Sequence, residues 1–242
     1  MSYAEKSRPT RGSYFLSRLS DDDYADLLPS LELIQLDSKQ IVHERNKPFA
    51  DVYFPTTCMI SAVLPMLDGA AVEVGTVGNE GLSAVEMVAG AVSPINTFMC
   101  QIPGHAMRMS VTDFKHALKE MPELRQLAFG YLQCYMAQMA QSAACNSQHA
   151  VEARFARWML VTHDRVEGDD FRLTQEFMAQ MLGVHRPSVS LIANQFQAAG
   201  LLQYSRGLIR ILNREGIEEV CCECYAQVRD RFQSVMGVER GG

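Results

Sequence analysis

The sequence lacks the features typical of membrane proteins, disulfide-stabilised domains and basic nucleic-acid coats. Lys and Arg (22) are outnumbered by Asp and Glu (28), and the net charge of −6 excludes a generally basic coat protein. The seven cysteines are an odd number scattered over 242 residues, which indicates reduced thiols in a cytoplasmic protein. The first 23 residues contain no apolar run, so we expect no secretory signal.

Two long stretches without charge are also poor candidates for membrane spans. Residues 87–107 are interrupted by Pro94 and Pro103, and residues 126–151 carry many Gln and Asn side chains that hydrocarbon would leave without partners. An apolar content of 48% is ordinary for globular proteins, and the length suits one large or two modest domains.

Residues from about 31 to 109 have the pattern of a β domain. A short helical stretch over 16–28, with Ser20 as its N-cap, precedes them. Short β-branched segments at 40–43, 51–54, 59–64 and 71–74 predict strands, and Asp68-Gly69 predicts a hairpin turn. Many short strands at this spacing indicate a sandwich or barrel of roughly a hundred residues.

A short helix over 112–120 and a long helix over 123–150 follow. Apolar residues recur along the long helix at steps of three and four: Leu124, Leu127, Tyr131, Tyr135 and Met139. Such a stripe either forms a coiled-coil-like seam with a second copy of the chain or packs inside its own monomer. We favour the dimer interface.

Residues 172–212 carry the pattern that indicates a function. Thr174 can cap a helix that ends at Gly183, and a second helix begins at His185–Ser188 with Pro187 in its first turn. Gly200 ends that helix, and a tight hairpin over 201–211 follows with Arg206 at its tip. Two short helices and a hairpin predict a winged helix-turn-helix.

The local charge supports this interpretation. Residues 171–215 contain five arginines and two glutamates, a net charge of +3 within an acidic chain. A basic island is the electrostatic footprint of phosphate binding. The arginines are Arg172, Arg186, Arg206, Arg210 and Arg214.

In this order, the β domain, the long helix and the winged motif resemble the CRP/FNR family of bacterial transcription regulators over about residues 20–225. The most specific segments are 183–190, 199–202 and 155–160, and residues 77–81 resemble the family's glycine–glutamate turn. The resemblance implies an α+β protein with a β-roll sensor domain (15–122), a dimerisation helix (123–150) and a winged helix-turn-helix domain (151–225). Tails are expected at 1–14 and 226–242.

The resemblance also implies DNA-contacting residues. Arg186 takes the place of the family's guanine-reading arginine, a role that suits its bidentate geometry. His185 and Ser188 would contact base or phosphate, and Thr174, Gln175 and Arg206 would contact phosphate. The family often has Glu and a second Arg where this chain has Pro187 and Leu191, so we expect a different operator.

For an effector, the resemblance implies a pocket at Gly78, Glu80 and Gly81. Residues 92–97 lack the arginine that holds the phosphate of cyclic nucleotides in the family, so no cyclic AMP response is expected. No cysteine precedes Cys58, which disfavours the iron–sulfur centre of the oxygen-sensing branch. Haem is disfavoured because lone histidines are usually structural, and the effector stays unknown.

Cys221 and Cys224 lie three residues apart on a predicted helix and could share a zinc ion or a redox bridge. A second ligand pair is missing nearby, so we favour buried, idle thiols and predict no metal site. Cys134 and Cys145 are interpreted as packing residues, with redox sensing as the alternative.

The alternative function is a jelly-roll protein that binds a small molecule or metal, with the C-terminal domain as an interaction module. Only His43 and His105 lie in the β half, and no nucleophile elbow, P-loop or dinucleotide motif occurs, so no enzyme is predicted. The favoured partners are double-stranded DNA with a palindromic operator, a second copy of the chain, and RNA polymerase as a candidate. No membrane partner is expected.

Overall fold

The computed structural model describes residues 12–67 and 71–238. Helices α1 (Tyr14–Ser17) and α2 (Asp21–Leu27) open the described chain, and a 3-10 turn (Leu28–Ser30) follows them. Ser20 caps α2 as predicted, and its hydroxyl accepts a hydrogen bond from the Asp23 amide. The expected tail over 1–14 is wrong at its end, because Ser13 is fully buried and caps α1. Residues 1–11 lie outside the described chain.

Seven strands build the β domain in two antiparallel sheets. The first sheet has the order β1-β7-β3 and the second β2-β6-β4-β5. The four predicted strand segments are confirmed. The strands are β1 (Glu32–Leu36), β2 (Ile41–His43), β3 (Asp51–Pro55), β4 (Met59–Pro65), β5 (Ala71–Val77), β6 (Thr97–Ile102) and β7 (Gly104–Ser110).

The predicted turn at Asp68-Gly69 falls in the gap between the two described ranges. The strands on either side of that gap are antiparallel neighbours, with Pro65 opposite Ala71. A 3-10 turn at Val85–Ala89 connects β5 to the second half of the domain.

Helix α3 (Val111–Glu120) leads into α4 (Pro122–Gln148), a helix of 27 residues. One face of α4 packs against β5 and the 3-10 turn Val85–Ala89. Leu124, Tyr131 and Tyr135 are therefore buried in the monomer's own core, and the prediction that they form a dimer interface is wrong. Leu127 is partly buried against the same core, and Met139 keeps some exposed surface.

The C-terminal part is built around a second core, which also includes Met59, Val63 and Ile102 of the β domain. Helix α5 (Val151–His163) is followed by α6 (Gln175–Leu182) and α7 (Arg186–Ala198), and a small sheet of order β8-β10-β9 completes the domain. The strands are β8 (Asp170–Arg172), β9 (Leu202–Ser205) and β10 (Leu208–Ile211). Phe155, Phe177, Val189, Ile192 and Phe196 are among its buried residues.

The chain continues through α8 (Arg214–Val220) and α9 (Cys224–Met236). The predicted tail over 226–242 is wrong for most of its length, because α9 packs along α4. Val228, Phe232 and Met236 are buried there, at steps of four on one face of the helix. Residues 239–242 lie outside the described chain.

Within residues 12–67 and 71–238, the structure has no helix that combines the length and the apolar character needed to cross a bilayer.

Candidate DNA-binding surface and sensor turn

Local sequence signals position the two helices of the predicted motif. The Thr174 hydroxyl accepts a hydrogen bond from the Phe177 amide and so caps α6. Gly183 ends α6 with φ 62° and ψ 40°, a left-handed conformation that glycine adopts without steric cost. His185 then occupies the N-cap position of α7 without a side-chain hydrogen bond, and Pro187 lies in the first turn. The predicted helix boundaries are confirmed.

One side of helix α7 is buried in the domain core, and the other side is exposed to solvent. His185 and Arg186 are exposed at its N-terminus, and Ser188 is partly exposed. Gln175 accepts a hydrogen bond of 2.7 Å from the Ser190 hydroxyl, which ties the start of α6 to α7. The structure thus brings His185, Arg186 and Ser188 together on one exposed helix end.

The wing is a two-residue hairpin between β9 and β10. Arg206 (φ 51°) and Gly207 (φ 80°) both have positive φ, as a type I′ turn requires, and Arg206 is exposed at the tip. The Leu173 amide donates to the Gly207 carbonyl at 2.8 Å, which fixes the wing beside the start of α6. Thr174 and Arg206 are therefore neighbours.

The charge of this surface is smaller than the sequence count indicates. Arg210 makes a bidentate pair with Asp170, with both N–O distances at 2.6 Å. Arg214 pairs with Asp164 at 2.7 Å and with Glu218 at 3.0 Å. Asp164 and Asp170 lie just outside the counted window, so two of its five positive charges are neutralised locally.

Three arginines of the island remain for phosphate. Within the described ranges, Arg172, Arg186 and Arg206 form no ion pair. Arg172 and Arg206 line a cleft of about 270 Å³ together with Thr174 and with Lys39 of the β domain. Cations and a helix N-terminus in one cleft create a positive potential that attracts phosphate.

The β domain packs directly against the helix-turn-helix. Val72 of β5 lies beside the turn, because a Cβ added to Gly183 would be 3.3 Å from its Cγ2. Trp158 Nε1 donates to Glu73 Oε1 at 2.8 Å, and the Ser61 hydroxyl lies 2.7 Å from Glu73 Oε2. Burial raises the pKa of Glu73 to about 7, although these hydrogen bonds oppose the rise.

The predicted effector residues Gly78, Glu80 and Gly81 form a tight turn. Glu80 Oε1 accepts hydrogen bonds from Arg165 Nη2 at 2.8 Å and Nε at 3.1 Å, and both side chains are fully buried. The Gly78 amide donates to the same oxygen at 3.3 Å. Glu80 thus holds an arginine that follows α5, which links the turn to the C-terminal domain.

Side chains of this chain pack closely against both glycines of the turn. A Cβ at Gly81 would overlap the ring of Tyr131, and a Cβ at Gly78 would come within 2.6 Å of Arg165. The sequence does not predict that Arg165 and Tyr131 lie against this glycine–glutamate turn. Arg165 stands in no motif, and Tyr131 was assigned to the dimer stripe.

Cys221 and Cys224 do not share one helix, as the sequence predicted, because Cys221 follows α8 and Cys224 begins α9. Cys221 does not face Cys224, because its Sγ lies against the Cys222 carbonyl. Cys222 and Cys224 instead meet Cys145 and His149 at the end of α4. Two further side chains of the ligating types therefore lie beside Cys222 and Cys224, more than seventy residues away in sequence.

The comparisons with known proteins agree with this geometry. Residues 153–220 match the model of the Crp-like helix-turn-helix domain. This part of the chain is a Crp-like helix-turn-helix domain. A search of curated proteins gives no match.

Solved structures extend the likeness to the whole Crp-like architecture. FixK2 from Bradyrhizobium japonicum is 13% identical with a TM-score of 0.68, covering 79% of this chain and 98% of that one. A putative CRP/FNR-family regulator from Eubacterium rectale is 14% identical with a TM-score of 0.64, covering 84% and 95%. The c-di-GMP responsive regulator CLP of Xanthomonas campestris is 13% identical with a TM-score of 0.63, covering 79% and 99%. The chain has the fold of CRP/FNR transcription regulators, as the sequence resemblance implied.

Proposed function

We propose that this Crp-like protein is a homodimeric transcription regulator that binds a palindromic operator and does not respond to cyclic AMP. The observation that carries the proposal is the exposed N-terminus of α7, with Arg186 and His185 at its tip and a buried inner face behind it. A helix held in this way can enter the major groove end-on.

Arg186 reads guanine in this proposal. Its guanidinium can donate two parallel hydrogen bonds to O6 and N7, a contact worth about 1–3 kcal/mol of discrimination against other bases. Thr174, Gln175, Ser188 and Arg206 contact phosphate or sugar in this proposal, which positions the helix without reading sequence. His185 lies on the base side of the same helix end.

The dimer forms through a face of α4 that the monomer covers only in part. Phe129 and Met136 are exposed by 47% and 61%, and further apolar residues lie on the same side of the helix. The complete set has the alternating three- and four-residue steps of a coiled-coil seam: Phe129, Leu132, Met136, Met139 and Ala143. A second copy of α4 is the occupant that this spacing fits, and two copies of α7 would then reach successive major grooves about 34 Å apart.

The sensor turn supports independence from cyclic AMP. Glu80 is engaged by Arg165, and Tyr131 packs against Gly81 where a ligand would have to approach. Residues 92–97 supply no arginine for a cyclic phosphate. Calorimetry should detect no binding of cyclic AMP at micromolar concentrations, and a micromolar dissociation constant would contradict this part of the proposal.

Selection of binding sites from a random DNA pool tests the proposal. The purified full chain should enrich a palindrome whose half-sites are one helical turn apart. Arg186→Ala should lose the enrichment. Lys115→Ala, which removes the same charge from an exposed site on α3, should retain it. Failure of the wild-type chain to enrich any sequence, with and without cell extract, would contradict sequence-specific binding.

A further inference from the structure

Four potential metal ligands meet at the junction of the two domains. Cys145 lies in the last turn of α4 and His149 caps its end, while Cys222 lies between α8 and α9 and Cys224 begins α9. Their ligand atoms all lie within 4.8 Å of one another. Cys145 Sγ is 3.5 Å from Cys222 Sγ, and Cys224 Sγ is 3.5 Å from His149 Nδ1.

We propose that Cys145, His149, Cys222 and Cys224 bind one zinc ion in a closed tetrahedral site. Zinc–sulfur bonds of about 2.3 Å at tetrahedral angles place neighbouring ligand atoms about 3.8 Å apart. The observed separations match a single ion. A four-iron cluster occupies the space between its ligands and would need them further apart. Three thiolates and an imidazole in this geometry select zinc among common divalent metals.

The groups around the four ligands form hydrogen bonds that would orient them for metal binding. His149 Nε2 lies 3.2 Å from Glu223 Oε2, so the carboxylate holds the proton on Nε2 and leaves the Nδ1 lone pair directed towards Cys224. Gln141 Nε2 donates to Cys224 Sγ at 3.0 Å. A carboxylate behind a histidine ligand and an amide donor on a thiolate both orient and stabilise such centres.

The local charge also favours a thiolate centre. Zinc with three thiolates and a neutral imidazole has a net charge of −1. Burial raises the pKa of the Cys145 thiol in the metal-free chain, and the charge of Arg157 opposes that rise. The buried Nε of Arg157 has no hydrogen-bond partner in the described chain. A buried N–H without a partner is costly, and a neighbouring anionic centre offsets that cost.

The position of the site gives it a structural consequence. His149 stands between α4 and α5, and Cys224 begins α9, so one ion would join the long helix, the interdomain hinge and the C-terminal helix. Zinc binding would then stabilise the docking of α9 on α4. The site itself does not depend on the proposed DNA binding, and its test does not involve DNA.

Metal analysis of the purified, untagged full chain gives the first test. We expect one zinc per chain, retained through gel filtration. After removal of zinc by a chelator under reducing conditions, Co²⁺ should restore one equivalent and give the intense visible bands and thiolate-to-metal charge transfer of a tetrahedral thiolate site. Absence of bound zinc together with absence of these bands would overturn the proposal.

Variants separate the ligands from nearby thiols. Cys145→Ser, Cys222→Ser and Cys224→Ser should each lose the bound metal, whereas Cys221→Ser should retain it because Cys221 lies outside the group. Glu223 is 69% exposed, so Glu223→Gln should fold normally and weaken the affinity for zinc about 10- to 100-fold.

Two other results would also refute the site. One is equal metal content in Cys221→Ser and Cys222→Ser. The other is a Cys145–Cys222 disulfide in non-reduced peptides from metal-free chain isolated under anaerobic, reducing conditions, because a disulfide would consume two of the proposed ligands.

Discussion

Replacement of Glu73 by glutamine should remove a pH dependence from the contact between the β domain and the Crp-like domain. Glu73 stands on β5 and accepts the hydrogen bond from Trp158 Nε1. A glutamine can still accept that bond with its carbonyl oxygen and donate to the Ser61 hydroxyl with its amide. The substitution therefore imitates the protonated carboxyl group and keeps the geometry of the interface.

The magnitude follows from the shift of the pKa. Burial raises the pKa of Glu73 from 4.5 to about 7. Between these values the folded chain keeps a proton that the unfolded chain has released, so stability falls as pH rises through this window. Each unit corresponds to about 1.4 kcal/mol, which gives a loss of about 3 kcal/mol as an upper bound, since the residue keeps some solvent contact.

A second buried group acts in the opposite direction. Burial lowers the pKa of His43 from 6.5 to about 4, so this group makes the chain more stable as pH rises between those values. The wild-type profile combines both effects. The difference between the wild-type and Glu73→Gln profiles isolates Glu73, because His43 is common to both chains.

Thermal unfolding followed by tryptophan fluorescence suits this measurement, because Trp158 is the only tryptophan and contacts Glu73 directly. At pH 4.5 the two chains should unfold at similar temperatures. By pH 8 the Glu73→Gln chain should unfold above the wild type by at most about 6–12 °C, from about 2–4 °C per kcal/mol for a chain of this size. If the unfolding temperatures of the two chains changed in parallel from pH 4.5 to 8, Glu73 would not be the source of this pH dependence.

Three further substitutions test other parts of the structure. Glu80→Ala leaves Arg165 buried without its carboxylate. The free energy of unfolding measured in urea should fall by about 3–5 kcal/mol. A loss under 1 kcal/mol would contradict a stabilising ion pair between the two residues. Gly81→Ala introduces a methyl group into the space of Tyr131 and should cost about 2–3 kcal/mol in the same assay, whereas an unchanged midpoint would show that the turn is open. Met136→Asp should convert the dimer to a folded monomer in sedimentation, while Thr112→Asp at an exposed position of α3 should stay dimeric. Equal dimerisation of both would exclude the proposed seam.

The local elements could be predicted because their signals are local. Thr174, Gly183 and Pro187 each impose a backbone or capping requirement on their own neighbours, so they located both helices of the motif. The strands followed from β-branched alternation between turns. The Crp-like character of the C-terminal part depends on these same residues.

What the sequence could not supply was the partner of each apolar or polar group. Periodicity showed that Tyr131 and Tyr135 share an apolar face of α4, but not that β5 covers this face. Because α4 has two apolar faces, the sequence alone does not say which one packs in the monomer and which one is free for a dimer. Cys145 meets Cys222 only because α9 folds back along α4. The four-residue spacing of Val228, Phe232 and Met236 is typical of an amphipathic helix and could have predicted α9.

The charge count failed for a related reason. Arg210 and Arg214 add to a basic island in sequence, yet their acidic partners lie on elements that only the fold brings near. An arginine that forms an ion pair with a carboxylate is not free to bind phosphate, so the ion pairs of the folded chain determine which arginines can do so.

A double-mutant cycle between Arg186 and its guanine tests the central claim most directly. Affinities of wild-type and Arg186→Ala chains would be measured by fluorescence anisotropy on the selected operator and on the same operator with 7-deazaguanine in place of the contacted guanine. We expect a loss of about 1–3 kcal/mol for the base change with the wild-type chain and almost none with Arg186→Ala. Equal losses with both chains would show that Arg186 does not read that guanine.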